Sequence, residues 1–244
     1  MVLHRLNKLL SLVDFEAWLS QDQAWVGGFD LPFGLPRELV ETLGWPLEWP
    51  ALMQHYQALS RPEIRSTFAA FCDARPVGGK FAHRATDRLA GSSPSMKWVN
   101  PPVAYMLQAG VASLMAAGAR LPGLHEGPST DARRVALEAY PGLLAREVLA
   151  ARSYKSDDKA KQTPDRLIAR KDLVTALEHG QTRLGVRLKV SHAQRDALID
   201  DASGDSLDAV LCLLQAAWGA QQGAPRYGLP ATIDPLEGWI LTSG

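Results

Sequence analysis

The chain has 244 residues, 46% of them apolar, and its 26 basic side chains balance 26 acidic ones. That length and apolar content suffice for one large folded unit spanning 1–244 with a sizeable core. The neutral balance argues against a duplex-wrapping nucleic-acid binder, whose affinity comes mainly from a basic excess that neutralises phosphates.

In chain order, the first six residues alternate, with Val2, His4 and Leu6 on one side, and predict a short strand. Asp14 is placed to cap a helix whose face is Phe15, Trp18 and Leu19. Asn7, Lys8, Asp14 and Glu16 interrupt this apolar opening, so it lacks the pattern of a signal peptide. No later stretch has the uninterrupted length of a membrane span. Cys72 and Cys212 lie in apolar, helix-like surroundings without metal-type spacing. They are expected as buried free thiols, and the protein as cytoplasmic, without a membrane partner.

Ala24–Phe29 is short, apolar and aromatic, and predicts a buried parallel strand with Asp30 at its carboxyl end. That end is where open α/β sheets bind ligands. Pro32, Gly34 and Pro36 predict a rigid turn before a helix over Arg37–Leu43. Residues 44–130 have the character of a helical insertion cut by Pro46, Pro50 and Pro62, with Trp45 and Trp49 as packed core or lid. Within it, Val77–Trp98 predicts a long exposed loop, Val103–Ala117 an apolar helix, and Leu121–Thr130 a further loop. Val135–Ala139 predicts a second strand, with Glu138 near its end, followed by a helix over Leu143–Ala151. Tyr154–Asp165 is polar, charged and expected to be mobile. Helices are then predicted over Arg166–Glu178, ended by His179-Gly180, and around Ala193–Ile199. Leu207–Ala220 is the clearest helix, with Leu207, Val210, Leu211, Leu214 and Trp218 on one face and Asp205 placed to cap it. Gly238–Thr242 predicts one last strand-like run.

Three acids stand out by position. Asp30 and Glu138 end strands, and Asp208 lies in the first turn of the clearest helix, with Asp205 three residues before it on the same face. Capping is the plain structural reading of Asp205; for Asp208 structural and functional readings stand side by side. Carboxylates converging from distant segments form a hard-oxygen site of the kind Mg²⁺ and Mn²⁺ prefer. Two such ions about 4 Å apart can clamp the oxygens of a phosphodiester displacement. Lys80 and Arg84, in a loop that also holds Phe81 and Trp98, offer phosphate contact and stacking to a single strand of nucleic acid, against the plain reading of a solvated loop. Tyr154, Lys155, Lys159 and Lys161 offer phosphate contact likewise, against the plain reading of a mobile charged loop. No glycine-rich phosphate loop and no G-x-S-x-G elbow occurs, which counts against a nucleotide-dependent phosphotransferase and a serine hydrolase.

Gly28–Pro36 (GFDLPFGLP), Leu137–Gly142 (LEAYPG) and Ser206–Trp218 (SLDAVLCLLQAAW), in that order, resemble the family catalogued as domain of unknown function 429. Asp14–Leu19 (DFEAWL), Tyr154–Asp157 (YKSD) and Asp234–Ile240 (DPLEGWI) are similar to it as well, so the resemblance spans most of the chain. That family is described as predicted nucleases of ribonuclease H-like fold. The resemblance implies a mixed sheet of three antiparallel and two parallel strands flanked by helices. It also implies Asp30, Glu138 and Asp208 as catalytic, metal-binding acids, with Asp205 supporting the metal. The resemblance of YKSD, together with its charge, singles out Lys155 as the best candidate for contacting a substrate phosphate. Asp208-Ala209 is further similar to the last helix of Holliday-junction resolvases, where the aspartate ligates metal. One departure is plain: no Gly-x-Asp precedes residue 28, so the first strand of such a sheet and its aspartate have no counterpart. The N-terminal sheet is accordingly expected to be incomplete.

The expected function is a phosphodiester hydrolase dependent on Mg²⁺ or Mn²⁺, with nucleic acid as the partner and Lys155, Arg84 and Lys80 on the substrate. The alternative is a non-catalytic interaction or scaffold domain that retains the fold but lacks the first catalytic strand; a homo-oligomer through an unpaired sheet edge is a further expected partner.

Overall fold

The computed structural model describes residues 1–127 and 133–244. Among them are two strands and ten α-helices. β1 (Trp25–Phe29) and β2 (Arg134–Glu138) pair in parallel, with Phe29 opposite Glu138. The two strands therefore end together, and Asp30 follows directly on β1. No other strand pairs with them among the described residues; Arg120 alone bridges to Val135 on the outer side of β2.

The two faces of this ribbon divide the core. Phe29 and Ala136 pack into a cluster that also takes Phe33 and Leu35, while Val135 and Leu137 pack with Trp218 on the other face. This is the period-two alternation of a strand. The first cluster is built by α1 (Leu12–Leu19), α2 (Arg37–Thr42), α3 (Trp49–Ala58), α4 (Arg61–Asp73) and α6 (Val103–Ala116). The opposite side is built by α7 (Pro141–Leu149), α8 (Pro164–His179), α9 (His192–Asp200) and α10 (Asp205–Gln222). α10 lies directly on β1. Gly28 makes this approach possible, because a Cβ there would stand 2.3 Å from the Cys212 carbonyl oxygen.

Most helices follow their sequence signals. Gly180 closes α8 in the left-handed conformation that glycine adopts at low cost. Cys72 and Cys212 are free and buried, and Trp49 is buried with its indole N–H donating to the Phe33 carbonyl at 2.7 Å.

Several expectations are corrected. Residues 1–6 form no strand; Val2 alone bridges, to Lys189, and the segment lies across a groove from β1 without pairing to it. β1 is not fully buried: only Phe29 is, since its outer edge faces a groove. Ser11, not Asp14, is the cap of α1; its hydroxyl accepts from the Asp14 N–H at 3.1 Å. Val77–Trp98 is not simply an exposed loop, for it contains α5 (Ala85–Ala90) and buries Arg84, Thr86, Asp87 and Ser95. Gly238–Thr242 is no strand; it is a turn whose Leu241 N–H donates to the Glu138 carbonyl at 2.8 Å. Of the loop expected over Leu121–Thr130, its last three residues lie outside the described residues. No helix is long and apolar enough to cross a membrane among those described.

Candidate functional site

A cleft of about 330 Å³ opens at the carboxyl ends of the two strands. Asp30, Glu138, Arg84 and Lys155 line it. Asp208 stands beside it, in the first turn of α10.

Loop docking at the start of α10 puts Lys155 there. The Ser156 N–H donates to the Ala202 carbonyl, and a buried Arg170 on α8 donates to the carbonyls of Tyr154 and Ile199. Gly204, at φ +79°, accepts the close approach: a Cβ there would stand 2.6 Å from the Lys155 Cβ. Asp205 does not cap α10. Asp201 does that work from outside the helix, its carboxylate accepting from the Ser206 N–H at 2.8 Å and from the Gly204 N–H at 3.3 Å. Burial alone would raise the Asp201 carboxyl, but these donors and the Ser203 hydroxyl bring it down to about 2.

Asp208 is 9% exposed and both of its oxygens are engaged: the Tyr154 hydroxyl donates to one and the Lys155 ammonium to the other. Burial raises its carboxyl above the ordinary range, with Lys155 and Tyr154 pulling against that. Lys155 moves up as well: burial would lower it, but Asp208, Asp30 and Asp205 hold its proton. The Tyr154 hydroxyl is pushed well up by burial and by the Asp208 charge, so it stays a donor.

Asp30 is different. Its residue surface is open to solvent, yet protein crowds the carboxyl from the cleft side. No hydrogen bond reaches its carboxylate from the described residues. This desolvation, and then the charge of Asp208, push its carboxyl up to about 6, with Lys155 opposing and Glu138 adding a little.

Glu138 belongs to another arrangement. It is 3% exposed, and Arg84 grips it with two bonds, to Oε2 at 2.9 Å and Oε1 at 2.6 Å. The Phe33 N–H donates to Oε2 at 2.9 Å. Arg84 is itself 1% exposed, and its remaining donors go to Asp87 and the Glu237 carbonyl. Burial pushes Glu138 up while Arg84 holds it down; Arg84 in turn rises against burial because Glu138 and Asp87 flank it. This bidentate, charge-assisted packing fixes the end of β2 to α5 and the chain's closing segment. In that segment Asp234 takes a two-bond pair from Arg37, and Glu237 accepts from the Arg37 and Ala85 N–H groups. Asp234 and Glu237 of DPLEGWI thus tie the closing segment to α2 and α5.

The sequence-predicted residues therefore separate. Asp30, Asp208 and Lys155 come together, joined by Tyr154. Asp205 is exposed nearby and hydrogen-bonds none of them. Arg84 lines the cleft with its N–H groups already committed to Asp87, Glu138 and Glu237. Lys80 is exposed over the Phe81 ring and is not among the residues lining the cleft. Tyr154 was legible only as the neighbour of Lys155. Arg170 gave no sequence signal because its partners are carbonyls of distant residues. Asp87 and Asp201 gave none because their local partners, Arg84 and Ser92 for the one and Ser203 with backbone N–H groups for the other, lie in stretches that read as solvated loop.

A pair of metal ions held by three acids does not fit this arrangement, since Glu138 is filled by Arg84 and Phe33. Among the described residues no three acidic, histidine or cysteine side chains gather as a metal cage. The carboxylates left are Asp30, which has no hydrogen-bond partner among the described residues, and Asp208, whose cation Lys155 is 42% exposed; by donor chemistry these two would suit a single divalent ion. Magnesium is commonly held by one or two carboxylates with water and substrate completing its shell. Comparison of the chain with protein-family models, with curated proteins and with solved structures finds no match.

Proposed function

We propose that the cleft is the active site of a phosphodiester hydrolase with a ribonuclease H-like arrangement, working with one Mg²⁺ or Mn²⁺ held by Asp30 and Asp208. The observation that carries this is the approach of Asp30, at the end of β1, to Asp208, in the first turn of α10; Asp30 has no hydrogen-bond partner among the described residues and is pushed up to about 6 by burial and by the Asp208 charge. The resemblance of the segments around both residues to domain of unknown function 429 supports it. When bound, the ion lowers the pKa of a coordinated water and neutralises phosphoryl charge. Lys155, released from Asp208, holds the substrate phosphate. Arg84 and Glu138 are positioning residues that fix the strand end, and Asp205 adds negative potential at the rim. Two buried free thiols fit a reducing, cytoplasmic setting.

The test is Mn²⁺ calorimetry on the chain and on the Asp30→Asn, Asp208→Asn and Glu138→Gln variants. Loss of binding by about tenfold or more is expected in the first two. Glu138→Gln keeps the shape and is expected to retain the affinity of the parent when folded by circular dichroism. A folded wild-type chain that takes up no Mn²⁺ sinks the proposal; a folded Glu138→Gln that loses it returns Glu138 to the ligand set.

A second reading, an interaction domain that pairs with its own copy, is favoured by one observation. The bonds of β1 to β2 run through Trp25 and Phe29, from Trp25 N–H to Arg133 and from Ala139 N–H to Phe29. By the alternation of a parallel ladder, the N–H and C=O groups of Val26 and Gly28 face outward. They have no backbone partner there among the described residues.

A further inference from the structure

The cleft has a second wall, and that wall speaks to what enters it. Val103 and Met106 are three residues apart in the first turns of α6, so they share a face. Leu31 stands beside them because Gly110 lets it in: a Cβ at Gly110 would stand 2.4 Å from a Leu31 methyl. Leu31, Val103 and Met106 all line the cleft, with Tyr140 on the β2 side. Met106 is 37% exposed, so this apolar surface is open rather than part of the core.

The cations are few. Of the two basic residues lining the cleft, Arg84 is committed to Asp87, Glu138 and Glu237, and only the Lys155 ammonium is accessible. A single strand of nucleic acid is held by a groove of cations tracking successive phosphates, with aromatic platforms for successive bases. Among the described residues there is one accessible cation here, an apolar wall, and a volume at the low end of the roughly 300–1,000 Å³ typical of small-molecule pockets. The neutral charge of the whole chain agrees.

We infer that the cleft takes a compact phosphodiester, one phosphate with an apolar or aromatic group on Leu31, Val103 and Met106, and not a nucleic-acid strand. This rests on the hydrolase reading above and specifies its substrate. In the reaction, the oxygen of a water molecule bonds to phosphorus and one P–O ester bond breaks. The departing oxygen takes one proton of that water, and the products are a phosphate monoester and an alcohol or phenol.

The test compares hydrolysis of bis(4-nitrophenyl) phosphate with that of a single-stranded and a duplex oligonucleotide, all with Mn²⁺, using the full chain and its Met106→Ser variant, which cuts back the wall without adding a cation for the phosphate. Met106 is partly exposed on α6, so the variant is expected to fold. The expected result is kcat/KM at least about tenfold higher for the aryl diester, and a KM raised about tenfold by Met106→Ser with kcat held, as for loss of uniform binding. Oligonucleotide cleavage as efficient as that of the aryl diester overturns this inference and leaves the hydrolase reading standing. An unchanged KM in Met106→Ser overturns the role of the wall. Cleavage of none of the three, by protein that binds Mn²⁺, overturns the hydrolase reading and this inference with it.

Discussion

Asp30 carries the sharpest electrostatic consequence of the site. Its folded pKa of about 6 lies above the ordinary 3.8, so the native state binds this proton more tightly than the unfolded chain does. The sign follows from linkage. Below about pH 4 both states are protonated and Asp30 costs nothing. As pH rises through about 6 the native carboxylate ionises against Asp208, and stability is lost. Asp30→Asn removes that charge and keeps the shape. Because the residue is open to water, the cost is discounted to about 1 kcal/mol. Thermal melts of chelator-treated protein should show Asp30→Asn melting about 2–4 °C higher at pH 8, the shift this size of effect gives a chain of this length. The difference should vanish at pH 4. Equal melting temperatures at pH 8 would mean that the carboxyl is better solvated than its surroundings indicate. A residue that lowers stability in order to hold charge is the usual signature of a site built for a ligand. The positions of Asp30 and Asp208 were legible from strand-end and helix-start patterns. The pairing of Glu138 with Arg84 was not, because it joins residues 54 positions apart across a stretch whose Gly, Ser and basic composition resembles solvated loop.

Among the elements, α10 does most to assemble the site: it brings Asp208 to the cleft, packs on β1 at Gly28, and receives the Tyr154–Lys155 loop at its N-terminus. Its start depends on Asp201, which takes N–H groups that no other side chain satisfies. Asp201→Ala should destabilise the protein by about 1–2 kcal/mol at pH 7, as loss of an N-terminal cap does. The depressed pKa of about 2 sets the pH window. The contribution is complete above the ordinary carboxylate range and is lost as pH falls through about 2, so the penalty seen in urea melts should shrink steadily between pH 4 and pH 2. A penalty independent of pH would show that the cap acts through shape and not through charge. The helix itself was readable because its apolar face repeats with helical period. Its cap was misassigned to Asp205 because Gly204 turns the chain in the left-handed region and carries Asp201 back over the end. The same limit applied to α5, Gly238–Thr242 and residues 1–6. Their conformations are set by distant partners and not by local periodicity.

At the scale of the whole molecule, a ribbon of two strands among the described residues holds apart two helical layers and keeps the outer edge of β1 open. Two-stranded ribbons are marginal alone, so this one depends on α10 and on the cluster around Phe29. The outer edge of β1 lies along a groove of about 470 Å³ lined by Leu6, Leu9, Phe15, Trp18 and Leu213. Outward-facing N–H and C=O groups beside apolar side chains are what a further strand needs. Under the second reading that strand is the β1 edge of another copy. Two identical edges related by a twofold axis meet antiparallel, so each copy gives and receives the same bonds and the assembly closes at two. Sedimentation equilibrium over a wide concentration range is then expected to give a mass rising to twice that of the chain. Val26→Pro tests the contact itself. Proline removes an N–H that has no backbone partner among the described residues, and an edge strand is where proline is tolerated. It also loses part of the packing of Val26 on Val135 and Leu137, so the variant is expected to melt somewhat lower, to remain folded by circular dichroism, and to stay monomeric throughout. A wild-type chain that remains monomeric at every concentration eliminates the dimer, and a Val26→Pro variant that still dimerises moves the contact away from β1. Neither result touches the cleft, which opens at the strand ends and not along their edge, so the hydrolase and interaction readings stand or fall separately.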